Sequence, residues 1–267
     1  MIITSLDIRM CMEDVLLVAC GGAAKNGVRD AEERYGLSNV KIISRDGDSY
    51  PPDFHDALIR DLQGKRIVIP YLALGGEFGT EAVRNVIKCA REVGCSVVSV
   101  FTIPFSFEST RRNRAFDHIA ELSALSDCSL VMDMQKFADS NPSIVFNREW
   151  TSFLKMSDHN VMYSVASIVN YMEGPFFSTF KDKLYSFIIT SDVVVKDATR
   201  KAWEGILYDN TDPTDDAVIM MSSKITSAEE DDLRNMVAMD YGIIPDIVRV
   251  PSIEESKVIV FRSVKSF

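Results

Sequence analysis

Residues 68–122 read VIPYLALGGEFGTEAVRNVIKCAREVGCSVVSVFTIPFSFESTRRNRAFDHIAEL. In the run from Arg66 to Tyr71 the residues after Arg66 are apolar on both alternating faces, as a buried strand requires. After a glycine-rich turn the apolar positions change period: Ala82, Val83, Val86, Ile87, Ala90 and Val93 return at helical spacing, and Gly94 is placed to end that helix. A second buried strand follows at Ser96–Phe101, then a helix over Asn113–Leu125 and a strand over Ser129–Met132. Buried strands alternating with amphipathic helices predict a parallel sheet with helices packed on it.

The same rhythm extends towards the N-terminus. Val15–Cys20 (VLLVAC) predicts a buried strand that runs through Gly21-Gly22 into a helix from about Lys25 to Tyr35. Val40–Ser44 predicts another strand, closed by the turn Arg45-Asp46-Gly47-Asp48. Further on, Val161, Met162, Val165, Ile168, Val169 and Met172 describe a long helix over Asp158–Met172, stopped by Gly174-Pro175. Beyond it the elements are strand-like Phe187–Val195, helical Asp197–Leu207, a strand at Ala217–Met221, a helix at Ala228–Met239, and strands at Ile247–Val250 and Val258–Phe261. Ser227 and Glu230 have the spacing of a reciprocal capping box for the helix at Ala228. The fold class is α/β: a Rossmann-like domain with a mostly parallel sheet over 1–157, a long central connecting helix over 158–175, and a smaller mixed-sheet α+β part over 176–267.

Composition narrows the function. With 267 residues, 46% hydrophobic and 25% charged, the chain can bury a substantial core. No run of eighteen apolar residues occurs, and the acidic start to Asp14 lacks the form of a signal peptide, so a cytoplasmic protein without a membrane segment is expected. Cys11, Cys20, Cys89, Cys95 and Cys128 are scattered, never form a CxxC pair, and read as reduced thiols with no metal framework. A formal charge of -10 argues against nucleic acid as a partner. The local cluster Arg111, Arg112 and Arg114 still has the chemistry to hold phosphate.

Two glycine turns are candidate anion sites because each joins a strand end to a helix start. Small residues let backbone N–H groups approach a phosphate, and the helix dipole favours negative charge there. The first is Cys20–Gly27, with Gly21, Gly22, Ala23 and Asn26. The second is Leu74–Glu81, with Gly75, Gly76, Gly79 and Thr80. On one edge of one sheet two such turns can face a single ligand. A third candidate follows the next strand, Pro104-Phe105-Ser106-Phe107-Glu108-Ser109-Thr110-Arg111-Arg112, where an acid accepts from ribose hydroxyls and an arginine forks onto phosphate. Each turn also has a purely structural reading, as a tight connection or a solvated charged loop.

These motifs, in this order, resemble the core of the FtsZ/tubulin superfamily. The segment Pro104–Arg112 is similar to that family's Pro-Phe-x-Phe-Glu-x-x-Arg-Arg signature, CGGAAKNGV to its first phosphate loop, and the helix from Asp158 to its central helix. The resemblance implies a GTP- or GDP-binding protein, with Mg2+ as companion ion, that assembles head to tail with copies of itself and hydrolyses GTP between subunits. Carried over residue by residue, it places the nucleotide on Gly21, Gly22, Ala23, Asn26, Gly75, Gly76, Gly79 and Thr80, with Glu108 and Arg112 at ribose and phosphate. Asp46 is placed near a metal or phosphate-side water, and Asn160 near guanine.

The chain departs from that pattern in ways that predict weak or absent hydrolysis. The family's second glycine loop appears here with Glu77, Phe78 and Glu81. Its acidic catalytic loop appears as Ser178-Thr179-Phe180-Lys181-Asp182-Lys183, where Asp182 is the one remnant acid. The connection before the third strand is shortened to about Asp61–Gly64, and Met134-Gln135-Lys136 stands where the family has Asn-Asp-Lys. No C-terminal recruitment tail is expected after the last strand. A second reading keeps the fold without cofactor: a nucleotide-free scaffold in which Glu77 and Glu81 occupy the phosphate site, against a bland reading of both as exposed acids. A small-molecule enzyme ranks last, because neither G-x-G-x-x-G spacing nor a nucleophile–base constellation is present.

Overall fold

The computed structural model describes residues 14–35, 39–44, 53–139, 150–169, 180, 183–205, 208, 216–251 and 253–264. The first half alternates strand and helix: β1 (Val15–Cys20), α1 (Gly22–Tyr35), β2 (Val40–Ile43), α2 (Phe54–Leu62), β3 (Ile67–Ala73), α3 (Glu77–Glu92), β4 (Ser96–Ile103), α4 (Ser109–Leu125) and β5 (Cys128–Asp133). A short α5 (Met134–Asp139) and the long α6 (Trp150–Val169) lead to β6 (Lys183–Ser191), α7 (Val195–Glu204), β7 (Ala217–Ser222), α8 (Ser227–Tyr241), β8 (Asp246–Val250) and β9 (Lys257–Ser263).

The nine strands among the described residues form one sheet in the order β2-β1-β3-β4-β5-β6-β9-β7-β8. Pairing is parallel from β2 through β6 and between β7 and β8, so only β9 runs against the others. The mixed portion is therefore continuous with the parallel one, because Cys128–Val131 of β5 pair with Lys183–Ser186 of β6. Strand side chains alternate between two layers. One face (Leu17, Tyr71, Val100, Leu130) packs with Ala24 and Val28 of α1 and Val161 and Met162 of α6. The other (Val18, Val68, Phe101, Val131) packs with Leu58 of α2, Val83 of α3 and Ile119 of α4, and continues into a cluster under α7 and α8.

Several boundaries differ from the sequence reading. Helix α1 starts at Gly22, not near Lys25, because Gly21 takes the left-handed turn at φ 93° and the helix begins immediately after it. Helix α4 starts at Ser109, not Asn113, with Glu108 as N-cap. Helix α6 starts at Trp150, since no glycine or proline between 150 and 157 would stop it, and the expected stop at Gly174-Pro175 lies outside the described residues. Helix α2 was not foreseen. It buries Leu58 and Leu62 one turn apart, so Asp61 and Leu62 are helical and not part of a shortened loop. The capping box of α8 sits one residue earlier, on Thr226 and Glu229. Glu230 is free of that task and instead accepts from Arg249 at 2.8 Å and Arg234 at 3.2 Å. The four described cysteines are all buried free thiols, and burial pushes those of Cys20 and Cys128 far up.

Candidate functional site

The chain leaves β1 for β2 on one side and then places β3 on the other side of β1. At such a switch point the loops at the strand C-termini diverge and leave a crevice. Here they are the two glycine turns. They touch: a Cβ on Gly21 would lie 3.6 Å from the Gly79 Cα, and one on Gly79 would lie 2.6 Å from Leu72 Cδ1 and 3.1 Å from the Cys20 carbonyl oxygen. Only glycine at 79 lets α3 come this close to the end of β1.

Both helices that start here point unsatisfied N–H groups into the crevice. The Lys25 N–H bonds the Gly21 carbonyl at 3.0 Å, so the N–H groups of Gly22, Ala23 and Ala24 have no acceptor within α1. In α3 the Thr80 N–H bonds the Gly76 carbonyl at 3.2 Å, and Gly76 offers no side-chain cap, which leaves the N–H groups of Glu77 and Gly79 without an acceptor in the helix. Thr80 itself is buried, with its hydroxyl donating to the Gly76 carbonyl at 2.8 Å. Gly75 turns at φ 88° and packs against the backbone of Arg111.

Around these amides lies a cavity of about 690 Å3 lined by Gly21, Gly22, Gly76 and Gly79, by Lys25, Arg111 and Arg114, and, as its one carboxylate among the described residues, by Glu77. Glu77 is 83% exposed and pairs with Arg114 at 3.4 Å. Arg111 pairs with Glu108, and Lys25 Nζ donates to Ser44 Oγ at 3.3 Å. A second cavity of about 660 Å3 shares Ala23, Asn26, Ala73 and Arg111 with the first and is mainly apolar, with Phe105, Phe107, Pro104 and Met134 beside Glu108, Lys155 and Asp158. Phe105 and Phe107 stack with centroids 5.3 Å apart, and Phe107 is largely exposed. Asp158 accepts from the buried Tyr71 hydroxyl at 3.4 Å. Burial, then the Asp158 charge, pushes the Tyr71 hydroxyl well up, so it remains a neutral donor.

The sequence-based residues divide. Gly21, Gly22, Ala23, Asn26, Gly76 and Gly79 line the first cavity, and Glu108 lines the second. Gly75 and Thr80 shape the turn from behind. Arg112 does not line either cavity: its guanidinium forks onto Asp133 at 2.7 and 2.5 Å and donates to the Pro104 carbonyl at 2.6 Å. The cavity-facing arginines are its neighbours 111 and 114. Asn160 lies two residues past Asp158 on α6, about 200° around the helix, and it is Asp158 that lines the cavity. Glu81 is exposed and pairs with Arg84 at 3.2 Å, beside a bidentate Arg84–Glu121 fork. It does not occupy the anion cavity, so of the two glutamates only Glu77 borders it. Asp46 and Asp182 lie outside the described residues. Lys25, Ser44, Asp158 and Tyr71 were not singled out by the sequence, although Lys25 sits inside the quoted turn.

Mg2+ needs about six oxygen ligands, usually one or two carboxylates with phosphate and water. Among the described residues the anion cavity has one carboxylate, already paired to an arginine, three cations surround it, and no group of three His, Cys, Asp or Glu gathers. These residues do not fit a divalent ion. Nor is any helix among the described residues long and apolar enough to cross a membrane.

No family model matches the chain. Among curated proteins, cell division protein FtsZ 2 of Methanocaldococcus jannaschii is 30% identical over 193 residues, covering 60% of this chain and 50% of that protein. The chain thus spans about half the length of this relative. Among solved structures, the empty FtsZ dimer of M. jannaschii superposes with a TM-score of 0.71 at 18% identity, covering 94% of this chain and 88% of that one. The GTPγS-form protofilament of TubZ from Bacillus thuringiensis serovar israelensis has a TM-score of 0.60 at 10% identity, with 94% and 86% covered. The chain is thus similar in sequence to an FtsZ over 193 residues and shares its fold with FtsZ and TubZ.

Proposed function

We propose that the joined cavities bind a guanine nucleotide, with its phosphates over the two glycine turns and its ribose and base in the apolar lobe. The observation that carries this reading is the meeting of two uncapped helix N-termini with Lys25, Arg111 and Arg114 at the switch point of the sheet. Phe105 and Phe107 offer a flat apolar wall for a base, and Glu108 an acceptor for ribose hydroxyls. Asp158, with Tyr71 donating to it, presents an acceptor to a base edge that carries donors. Guanine presents an N–H and an amino group there, whereas adenine would set a ring nitrogen lone pair against the carboxylate.

In this reading copies assemble head to tail and serve a cytoskeletal role; TubZ, which shares the fold, is described as a protofilament. Hydrolysis is slow because the segment from Ser178 to Lys183 holds one acid between two lysines, too little to position an attacking water. A nucleotide-free scaffold is the rival, and the Glu77–Arg114 pair is what favours it.

Thermal unfolding separates the two. GDP or GTP at about 100 times its dissociation constant raises stability by about 2.7 kcal/mol, or roughly 5–10 °C in a chain of this size. The expected result is that rise with guanine nucleotides and a much smaller one with ATP. An unchanged midpoint with millimolar GDP and GTP would support the scaffold.

A further inference from the structure

We propose that Lys25 is the counter-charge for the nucleotide phosphates and lets them bind without a divalent ion. This rests on the nucleotide reading and adds to it a named residue and an ion requirement. Of the three cavity cations, Arg111 is paired with Glu108 and Arg114 with Glu77. Lys25 makes no ion pair among the described residues. Its ammonium is held at the neutral Ser44 hydroxyl, at 3.3 Å, where β2 ends beside β1. Its own backbone N–H closes the first turn of α1, so the side chain rises from the helix end whose free amides line the cavity. Among the described residues this partly buried positive charge has a hydroxyl and no carboxylate as partner, and an anion over Gly21–Ala23 would complete it. The lysine and two arginines also repel a divalent cation from the place where phosphates would otherwise recruit one, and Glu77 alone is no ligand set. The charge that a metal ion would bring to the phosphates is thus already carried by the chain.

The test is a titration of the full-length protein with a fluorescent GDP analogue, in EDTA and again in millimolar Mg2+, for the wild type, Lys25→Ala and Lys25→Arg. The expected result has three parts. The wild type binds with dissociation constants within about threefold in the two buffers. Lys25→Ala weakens binding at least tenfold in EDTA, with part of the loss recovered in Mg2+. Lys25→Arg stays near the wild type. Alanine is the best helix former, so Lys25→Ala folds, and its melting temperature without ligand verifies that. Wild-type binding that requires Mg2+, or a Lys25→Ala protein that binds as the wild type does, overturns the proposal while leaving the nucleotide reading intact. A wild type that binds in neither buffer overturns both.

Discussion

Replacing Gly75 with alanine is expected to lower the melting temperature by roughly 6–12 °C, a loss of about 3 kcal/mol. The backbone there has φ 88°, which costs an L-residue about 1–2 kcal/mol before any contact is considered. A Cβ would also sit 2.3 Å from the Arg111 carbonyl oxygen and 2.9 Å from its carbonyl carbon. Those are backbone atoms in the first turn of α4, so no side chain can rotate away. The strain is relieved only by moving α4, and with it Arg111 and Arg114, away from the cavity. Gly76→Ala is the matched control: its φ is −105° and nothing lies within 4 Å of a Cβ. Scanning calorimetry on the two variants should show a large fall for the first and little change for the second. Equal falls would mean that the close approach of α4 does not hold the turn.

Arg112→Ala and Asp133→Ala should each cost about 3–5 kcal/mol, because either one strands its partner in the interior. The Asp133 side chain is 4% exposed and that of Arg112 20%. Their fork is reinforced at both ends: Arg112 also donates to the Pro104 carbonyl, and Asp133 accepts from the Gln135 N–H at 2.9 Å at the start of α5. The guanidinium additionally lies 5.2 Å from the Phe116 ring centroid. Equilibrium denaturant unfolding of both single variants and the double variant reads the coupling. The double should lose much less than the sum of the singles. Additive losses, or an Arg112→Ala protein of unchanged stability, would instead return Arg112 to the role of a free phosphate ligand.

The Arg112 assignment shows how far the sequence could be read. Continuous apolar runs made β1, β3, β4 and β5 legible, because central parallel strands are buried on both faces. The arginines depend on where α4 begins. With the helix starting at Asn113, residues 108–112 read as a loop and the family motif points to Arg112. Starting at Ser109, residues 111 and 114 fall three apart on one face, towards the cavity, and 112 turns towards β5. The same helical geometry separates Asp158 from Asn160. The missed α2 has a nine-residue span with only Leu58 and Leu62 buried, too little periodicity to distinguish it from a connection after Pro51-Pro52. Lys25 stood in plain view but carried no local signal, since its environment is set by Ser44 at the end of the neighbouring strand.

Hydrogen exchange of the full chain with and without millimolar GDP addresses the nucleotide site most directly, because it reports binding and place together. The amides of residues 20–26 and 75–81, which include the uncapped first turns of α1 and α3, should exchange more slowly with GDP, together with peptides across residues 105–111. Unchanged exchange in those segments, or protection confined to another part of the fold, would contradict a phosphate site between the two glycine turns.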